Sequence, residues 1–171
     1  LYISERIANK ELLPPQWIGL KFFNVYGVNE FHKKKQMSVI SYLIPKIKKN
    51  MEVKLFKSNN KNFKDGYQKR DFIYIDDCLD IILWLYNKPK ISGIFNAGTG
   101  TTRTFLDLTK ILFKNLKKKE KIKFIKTPKN IEKHYQYYTK ANISKLRKVG
   151  YLKKIKRLEV GIKHLIKKQK N

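Results

Sequence analysis

The stretch Leu20-Lys-Phe-Phe-Asn-Val-Tyr-Gly27 passes from an apolar run into a turn, and it decides the fold class. Residues 17–23 are mostly apolar, as in a buried strand, and Gly27 supplies the turn after them. Further strands are predicted at residues 53–56, 71–75, 93–97 and 121–126. Helices are predicted at residues 1–10, 38–49, 76–86, 105–116, 142–149 and 155–168. Strands that alternate with helices predict an α/β fold rather than a helical bundle.

Local signals refine these elements. Thr104 is predicted to cap the helix that follows it, and Asp76 or Asp77 to cap the helix that ends near Tyr86. Pro45 falls inside a helical pattern and is expected to kink that helix. Residues 58–69 are polar and predict a loop, and residues 135–138 predict an aromatic loop.

A net charge of +27 raises the question of a nucleic-acid partner. Of the 40 basic residues, 35 are Lys and five are Arg, although Arg is better suited to bidentate contacts with phosphates and bases. The lysines are scattered along the chain, which is typical of a solvated surface. We therefore predict no nucleic-acid partner, although the positive field should attract a diphosphate-bearing substrate.

Other features exclude whole classes of protein. No apolar run approaches the roughly 18 residues that span a bilayer, so we expect no membrane segment. Three His and the single Cys78 lie far apart, so the spacing predicts no metal site. A lone cysteine cannot form an internal disulfide, which favours a reducing, cytoplasmic location. The chain starts at Leu1 within a predicted helix, and we expect a truncated reading frame or an excised piece.

Three segments resemble motifs of the extended short-chain dehydrogenases that act on nucleotide sugars. Leu20–Gly27 resembles R-x-F-N-x-Y-G, and Gln68–Asp77 resembles R-D-F-V-Y-V-x-D. Gly93–Gly100 resembles G-x-F-N-x-G-x-G. These motifs occur in many epimerases and dehydratases, so they imply the superfamily only.

A narrower set of motifs resembles the ADP-glycero-manno-heptose 6-epimerase family. The set comprises Glu30-Phe-His-Lys33, Leu55-Phe-Lys-Ser58 and His134-Tyr-Gln-Tyr-Tyr-Thr139, and the resemblance runs over essentially the whole chain. It implies the C-terminal part of a Rossmann-type nucleotide-sugar epimerase, with the last parallel strands and a small substrate-binding lobe. Residues 1–171 would be this substrate-binding portion, and the N-terminal dinucleotide-binding half would be absent.

The resemblance also implies an activity. The whole enzyme would oxidise and re-reduce C6 of an ADP-activated heptose with tightly bound NADP, in the synthesis of lipopolysaccharide inner-core precursors. It would act as a homo-oligomer, and the fragment alone would be inactive. The cofactor-binding G-x-x-G-x-x-G fingerprint occurs nowhere in this sequence, and the family's Tyr-x-x-x-Lys pair would precede Leu1.

Lys33 is the catalytic candidate that the resemblance implies. Hydride leaves one face of C6 and returns to the other, so acid/base groups on both sides of the carbon serve the reaction: the family tyrosine and a lysine matching Lys33. A lysine acts as a base only where burial or positive neighbours favour its neutral form, and Lys34 and Lys35 are adjacent like charges. The alternative is one more exposed lysine.

Further ligand contacts follow from the resemblance. Asn24 would bind the sugar, while Val25 and Lys33 would lie at the nicotinamide; the alternative for Asn24 is a bond to turn backbone. Arg70 would grip the diphosphate, unless it forms a surface ion pair with Asp71 or Asp65. Tyr135 would reach the same diphosphate, or would only pack against its aromatic neighbours. The adenine and ribose pocket would be lined by Phe56, Lys57, Ser58 and Asn59.

Some positions depart from the family pattern. The family's Gly-Ser after the lysine is Lys34-Lys35 here, which puts a substrate contact at Lys35 in doubt. A substrate-contacting His falls at Tyr42, which can still donate a hydrogen bond. The alternatives left open are a UDP- or dTDP-sugar 4-epimerase or 4,6-dehydratase, a non-catalytic relative, and a basic nucleic-acid-binding module.

Overall fold

The structure, a computed structural model, describes residues 15–133 and 135–169, with the side chain of Lys35 excepted. The predicted helix over residues 1–10 and His134 of the narrower motif lie outside the described residues. None of the helices in these ranges is long and apolar enough to cross a bilayer. Within the same ranges, no group of three or more His, Cys, Asp or Glu side chains is placed to hold a metal ion.

The strands of the described ranges form four pairs, three of them parallel. Only the pair of β4 and β7 is antiparallel. The pairs are β1 (Ile18–Phe22) with β6 (Gly93–Ala97), β2 (Asn24–Tyr26) with β5 (Phe72–Tyr74), β3 (Val53–Phe56) with β8 (Ile122–Ile125), and β4 (Lys69–Arg70) with β7 (Arg103–Thr104).

Groups of one to three strands alternate with helices along the chain, which confirms the predicted α/β class. A 3₁₀ segment, Phe31–Gln36, follows β2. The α-helices are α1 (Val39–Lys48), α2 (Ile75–Tyr86), α3 (Phe105–Asn115), α4 (Lys129–Glu132), α5 (Ser144–Lys148) and α6 (Leu158–Lys168).

Two clusters of buried side chains hold these elements together. The larger joins α1, α3 and α6 to β3 and β5, and Leu108 and Ile162 lie fully buried in it. The smaller joins α2 and α5 to β6, and Ile81 and Phe95 lie within it. The helices thus cover the strand pairs on their apolar sides, as parallel strands require.

The prediction for the start of α2 is wrong. The N-cap position is Tyr74, so neither Asp76 nor Asp77 caps this helix. Both carboxylates lie in its first turn, where negative charge is favourable. Asp77 instead accepts hydrogen bonds from the backbone N of Lys156 at 3.1 Å and from its Nζ at 2.8 Å. The carboxylates therefore tie α2 to the segment before α6 and, through Asp76 and Lys168, to the end of α6.

The predicted cap of α3 is confirmed. Thr104 Oγ1 accepts a hydrogen bond from Asp107 N at 2.9 Å, and the Asp107 carboxylate accepts one from Thr104 N, so the two form a capping box. Helix α1 continues through Pro45 over ten residues. Its N-cap is Ser38, whose side chain accepts from Ser41 N. Ser38 and Thr104 therefore cap the N-terminal ends of α1 and α3.

Candidate active site

Asn24 lies where the chain leaves the β1–β6 pair and enters the β2–β5 pair. Phe23 N donates to Ala97 O at 3.0 Å, and Asn24 N donates to Asp71 O at 3.1 Å. The side-chain Nδ2 of Asn24 also donates to Asp71 O, at 3.0 Å. Asn24 is thus at the carboxyl end of β1, the edge where open α/β sheets bind ligands. Its amide does bond to backbone, as the alternative supposed, but only through Nδ2.

A cavity of about 320 Å³ opens on one side of Asn24. Val25 and Lys33 line it, so the structure brings together three of the residues that the sequence assigned to the sugar and the nicotinamide. The rest of the wall mixes polar and apolar side chains, including those of Ser38, Met37, Val39, Phe72 and Phe105.

A second cavity, of about 340 Å³, also has Asn24 in its wall. Arg70 lines this one, together with Phe22, Phe23, Gln136 and Thr139. Asn24 therefore shares one cavity with the predicted base, Lys33, and the other with the predicted diphosphate contact, Arg70. A ligand with a sugar next to a diphosphate matches this order of groups.

Glu30 closes the loop that carries Lys33. Its carboxylate accepts hydrogen bonds from Gly27 N at 3.0 Å, Ser38 N at 2.7 Å, Ser38 Oγ at 2.8 Å and Ser41 Oγ at 2.7 Å. Burial favours the protonated form of Glu30, but these four hydrogen bonds outweigh it and hold the pKa below its usual value. The carboxylate therefore fastens the two ends of the loop to each other and to α1.

Lys33 itself is exposed, although Lys33 N is held by Glu30 O at 2.9 Å. The described residues do not bury it in the way that a lysine base requires. The next residue, Lys34, has φ 48° and ψ −114°, a region that favours glycine. The family's glycine at this position therefore matches the backbone, and Lys34 occupies it with strain.

Arg70 is half-buried and lies near two aromatic rings. Its guanidinium carbon lies 5.7 Å from the centre of the Phe105 ring and 5.6 Å from that of Tyr135. The ion pair with Asp71 or Asp65 is not formed, because those carboxylates accept from Thr99 and Ser58 instead. Burial lowers the pKa of Arg70, so the site disfavours an isolated cation and favours an anion beside it.

The predicted nucleotide pocket lies next to Arg70. Phe56 packs edge-to-face on Tyr135 with ring centres 6.0 Å apart, and Tyr135 packs on Tyr137 at 5.3 Å. Asn59 N donates to the Tyr137 hydroxyl at 2.9 Å, which joins the loop after β3 to the aromatic loop. Burial raises the pKa of Tyr135, so its hydroxyl stays protonated and able to donate.

Lys57 and Ser58 belong to the same loop. Lys57 O accepts from Thr127 Oγ1 at 3.1 Å, and Ser58 Oγ donates to Asn60 O at 2.9 Å. These two hydrogen bonds fix the loop. The Lys57 side chain is exposed.

Tyr42, like Tyr135 and the loop residues 56–59, is a predicted contact that lines neither of these two cavities. Tyr42 lies on α1 with 49% of its surface exposed, and its hydroxyl accepts from Lys46 Nζ at 2.5 Å. The side chain of Lys35 lies outside the described part of the structure. The Tyr42 hydroxyl keeps its proton free to donate. Tyr42 lies one helical turn after Ser38, which lines the same cavity as Lys33.

Sequence reasoning missed two buried carboxylates, Glu30 and Asp71, which organise the site without forming an ion pair among the described residues. One signal was available for Glu30, because Ser38 and Ser41 follow it at the start of a predicted helix. Asp71 belongs to the R-D-F motif, but its hydrogen-bond partners Thr99 and Ala141 are distant in the sequence, so its role could not be read from the motif.

Comparison with known proteins shows which family and which enzymes this chain is similar to. Residues 14–98 match the NAD dependent epimerase/dehydratase family. The chain is 44% identical over 159 residues to an ADP-L-glycero-D-manno-heptose-6-epimerase of Fusobacterium nucleatum, covering 90% of this chain and 48% of the relative. It is 38% identical over 150 residues to an enzyme of the same name from Nitratidesulfovibrio vulgaris, covering 88% of this chain and 46% of the relative.

Solved structures of nucleotide-sugar epimerases have a similar fold. The Helicobacter pylori ADP-L-glycero-D-manno-heptose-6-epimerase superimposes with a TM-score of 0.78 and 28% identity, covering 97% of this chain and 48% of the other. The Thermotoga maritima UDP-glucose 4-epimerase shares the fold with a TM-score of 0.79 at 22% identity, covering 99% of this chain and 50% of the other.

The chain thus spans about half the length of the relatives it matches. The motifs at Asn24, Arg70 and Asn96 fall at the strand ends that build the two cavities or flank them. Fold, motifs and similarity agree, and the chain belongs to the NAD dependent epimerase/dehydratase family.

Proposed function

We propose that this chain is the C-terminal, substrate-binding portion of an enzyme that inverts C6 of ADP-glycero-manno-heptose. The observation that carries the proposal is the 44% identity to the Fusobacterium nucleatum enzyme of that name over 90% of this chain. The order Lys33, Asn24, Arg70 along the two cavities supports it, because it suits a sugar attached to a diphosphate. UDP-sugar 4-epimerases share the fold at lower identity, so they remain the second candidate.

An incomplete sheet supports the assignment to one portion of a longer enzyme. Within the described residues β1 pairs with β6 alone, whereas parallel strands are normally buried in larger sheets. The outer face of α2 presents an apolar stripe at helical spacing, beside the half-buried Ile18 and Leu20 of β1. The exposed residues of this stripe are Leu79, Ile82, Leu83 and Tyr86. A dinucleotide-binding half that extends the sheet past β1 would cover both surfaces.

The wall around Lys33 fits the edge of a nicotinamide. Val25 is half-buried there beside Met37 and Val39, which offers an apolar contact to a flat ring. The bound dinucleotide supplies the acceptor and donor of hydride in this chemistry. The family resemblance supports NADP as this dinucleotide. We assign its binding mainly to the missing half, because this sequence contains no glycine-rich phosphate loop.

Lys33 moves the proton on one side of the sugar. As a neutral amine it would take the C6 hydroxyl proton of one epimer when hydride leaves that carbon; in the reverse direction, as an ammonium, it would return a proton to that oxygen when hydride comes back. The opposite face needs a second acid/base group, which we assign to the missing half. Because Lys33 is exposed in the described chain, the same half and the substrate must cover it before it can act.

The remaining predicted contacts hold the ligand. Arg70 and the Tyr135 hydroxyl bind the diphosphate, and Asn24 binds a sugar hydroxyl. The nucleoside lies along the loop after β3, and Lys35 and Tyr42 complete the rim near the heptose. The loop residues are Phe56, Lys57, Ser58 and Asn59. The whole enzyme is proposed to be a cytoplasmic homo-oligomer that supplies a lipopolysaccharide precursor.

Turnover by a completed enzyme tests this proposal. The chain is joined to the N-terminal half of the Fusobacterium nucleatum relative, and interconversion of the two C6 epimers of ADP-glycero-manno-heptose is followed by NMR. We expect turnover in the joined protein and its loss in Lys33→Met, with Lys148→Met on α5 as the control. Turnover that survives Lys33→Met would refute the role of Lys33, and C4 epimerisation of a UDP-sugar would favour the second candidate.

A further inference from the structure

Asp71 has an unusual environment for a carboxylate. It is fully buried, yet no Lys, Arg or His of the described residues forms a salt bridge with it. Its Oδ1 accepts from Thr99 N at 2.8 Å and from Thr99 Oγ1 at 2.6 Å. Its Oδ2 accepts from Gly100 N at 2.9 Å and from Ala141 N at 3.1 Å. Three backbone N–H groups and one hydroxyl therefore compensate the buried charge.

These bonds join segments that surround the Asn24–Arg70 cavity. Thr99 and Gly100 belong to the turn after β6, and Ala141 ends the segment that brings Gln136 and Thr139 to the cavity wall. The packing is tight, because a Cβ on Gly98 would lie 3.2 Å from Asp71 Oδ2. A single carboxylate thus connects the sheet to the aromatic segment.

The backbone carbonyl of Asp71 holds the candidate sugar contact, Asn24. Its carbonyl oxygen accepts from both the backbone N and the Nδ2 of Asn24. Since Nδ2 points to this carbonyl, the amide oxygen Oδ1 of Asn24 points the other way and has no protein donor among the described residues. Asn24 then offers a hydrogen-bond acceptor, which recognises a hydroxyl group. The preceding residue is Arg70, so displacement of Asp71 would move both ligand contacts.

We propose that Asp71 is a positioning residue, whose buried carboxylate holds Asn24 and Arg70 in register so that one sugar diphosphate meets both. The ligand part of this inference rests on the proposed function. The geometric part, that the Asp71 carboxylate locks the Asn24 contact and the segment that ends at Ala141, does not. The two parts can therefore be tested separately.

Amide hydrogen exchange of the ligand-free chain tests the geometric part. Asp71→Asn keeps the volume but turns one acceptor oxygen into a donor, so two of the four donors lose their partner. We expect exchange to rise about tenfold or more at Asn24, Thr99, Gly100 and Ala141, with no change in β3 and β8. The matched control, Asp107→Asn in the α3 capping box, should leave these four amides unchanged. An even rise throughout the chain, or no rise, would overturn the inference.

Calorimetry with ADP-glucose and ADP tests the ligand part. If Asp71 positions Asn24 as well as Arg70, Asp71→Asn weakens the binding of ADP-glucose about tenfold more than that of ADP, whereas a purely structural role weakens both ligands equally. Should Asp71→Asn fail to fold, Thr99→Val removes a single donor and must give the same exchange pattern on a smaller scale. If the unaltered chain binds neither ligand, the proposed function fails, and the exchange pattern still decides the positioning role.

Discussion

The guanidinium carbon of Arg70 lies 5.6 Å from the centre of the Tyr135 ring. The Phe105 ring lies at a similar distance, 5.7 Å, and Arg70 also lines the cavity that Asn24 lines. A planar cation held in this way is suited to bidentate contact with a diphosphate.

The first prediction concerns Arg70→Lys. The charge is kept, but the planar stack and the paired donors are lost, so the affinity for ADP-glucose should fall about 30-fold, or ~2 kcal/mol. Calorimetry measures the change. Arg147→Lys is the matched control, because Arg147 donates to Tyr151 O and Lys153 O away from both cavities. Equal affinity in the unaltered protein and Arg70→Lys would refute the diphosphate role.

Glu30 gives a prediction for acid stability. Its pKa is lower in the folded chain than in the unfolded chain, so its contribution to the free energy of unfolding is present above the unfolded value. That contribution is lost as the pH falls from about 4.5 through the folded pKa. Thermal unfolding measured from pH 7 to pH 3 should show a loss of stability that Glu30→Gln partly removes.

The same series separates Glu30 from acid denaturation in general. Glu52 is exposed, and Glu52→Gln should leave the acid-induced loss unchanged. Glu30→Gln should also be less stable at pH 7, because an amide cannot accept all four hydrogen bonds. Parallel pH profiles for the unaltered chain and Glu30→Gln would show that this carboxylate has no special role.

Lys34→Gly should stabilise the chain. Lys34 has φ 48° with ψ −114°, where a side chain is strained, and glycine relieves the strain at some cost in unfolded-chain entropy. We expect a gain of about 1 kcal/mol in the free energy of unfolding, measured in urea. Asn29→Gly is the control, since Asn29 has φ 59° and asparagine tolerates this region, so its gain should be smaller. A loss of stability in Lys34→Gly would contradict this account of the loop.

Gly161→Ala should destabilise the larger core. A Cβ on Gly161 would collide with the hydroxyl of Tyr26, which is 1% exposed and cannot move aside into solvent. Overpacking of this kind costs about 2–3 kcal/mol, which urea unfolding would reveal. Val160→Ala, on the exposed face of the same helix, should change stability by less than about 1 kcal/mol. Equal stability of the two variants would show that α6 does not approach β2 closely.

Local patterns predicted most of the fold. Strands such as Val53–Phe56 and Gly93–Ala97 are short apolar runs between turn residues, and Thr104 is followed by the acidic residue that a capping box needs. Asp76 and Asp77 misled the same reasoning, because their partners Lys156 and Lys168 come from distant parts of the chain. Local rules cannot anticipate such partners.

The candidate site was predictable to the extent that its residues belong to contiguous motifs. Asn24, Val25 and Lys33 come from neighbouring segments, and the cavity they share follows from the strand end between them. The hydrogen bonds that the Asp71 carboxylate accepts depend on the positions of Thr99 and Ala141, which only the tertiary structure brings together. Exposure of Lys33 was likewise not readable from sequence, because it depends on what covers the cavity.

The most direct test of the account is competitive calorimetry of the chain with ADP-glucose and UDP-glucose. We expect tighter binding of ADP-glucose, with UDP-glucose displaced from the same site, and an affinity for ADP-glucose about 30-fold lower in Arg70→Lys. Tighter binding of UDP-glucose would contradict the assignment to ADP-heptose chemistry and favour a UDP-sugar 4-epimerase.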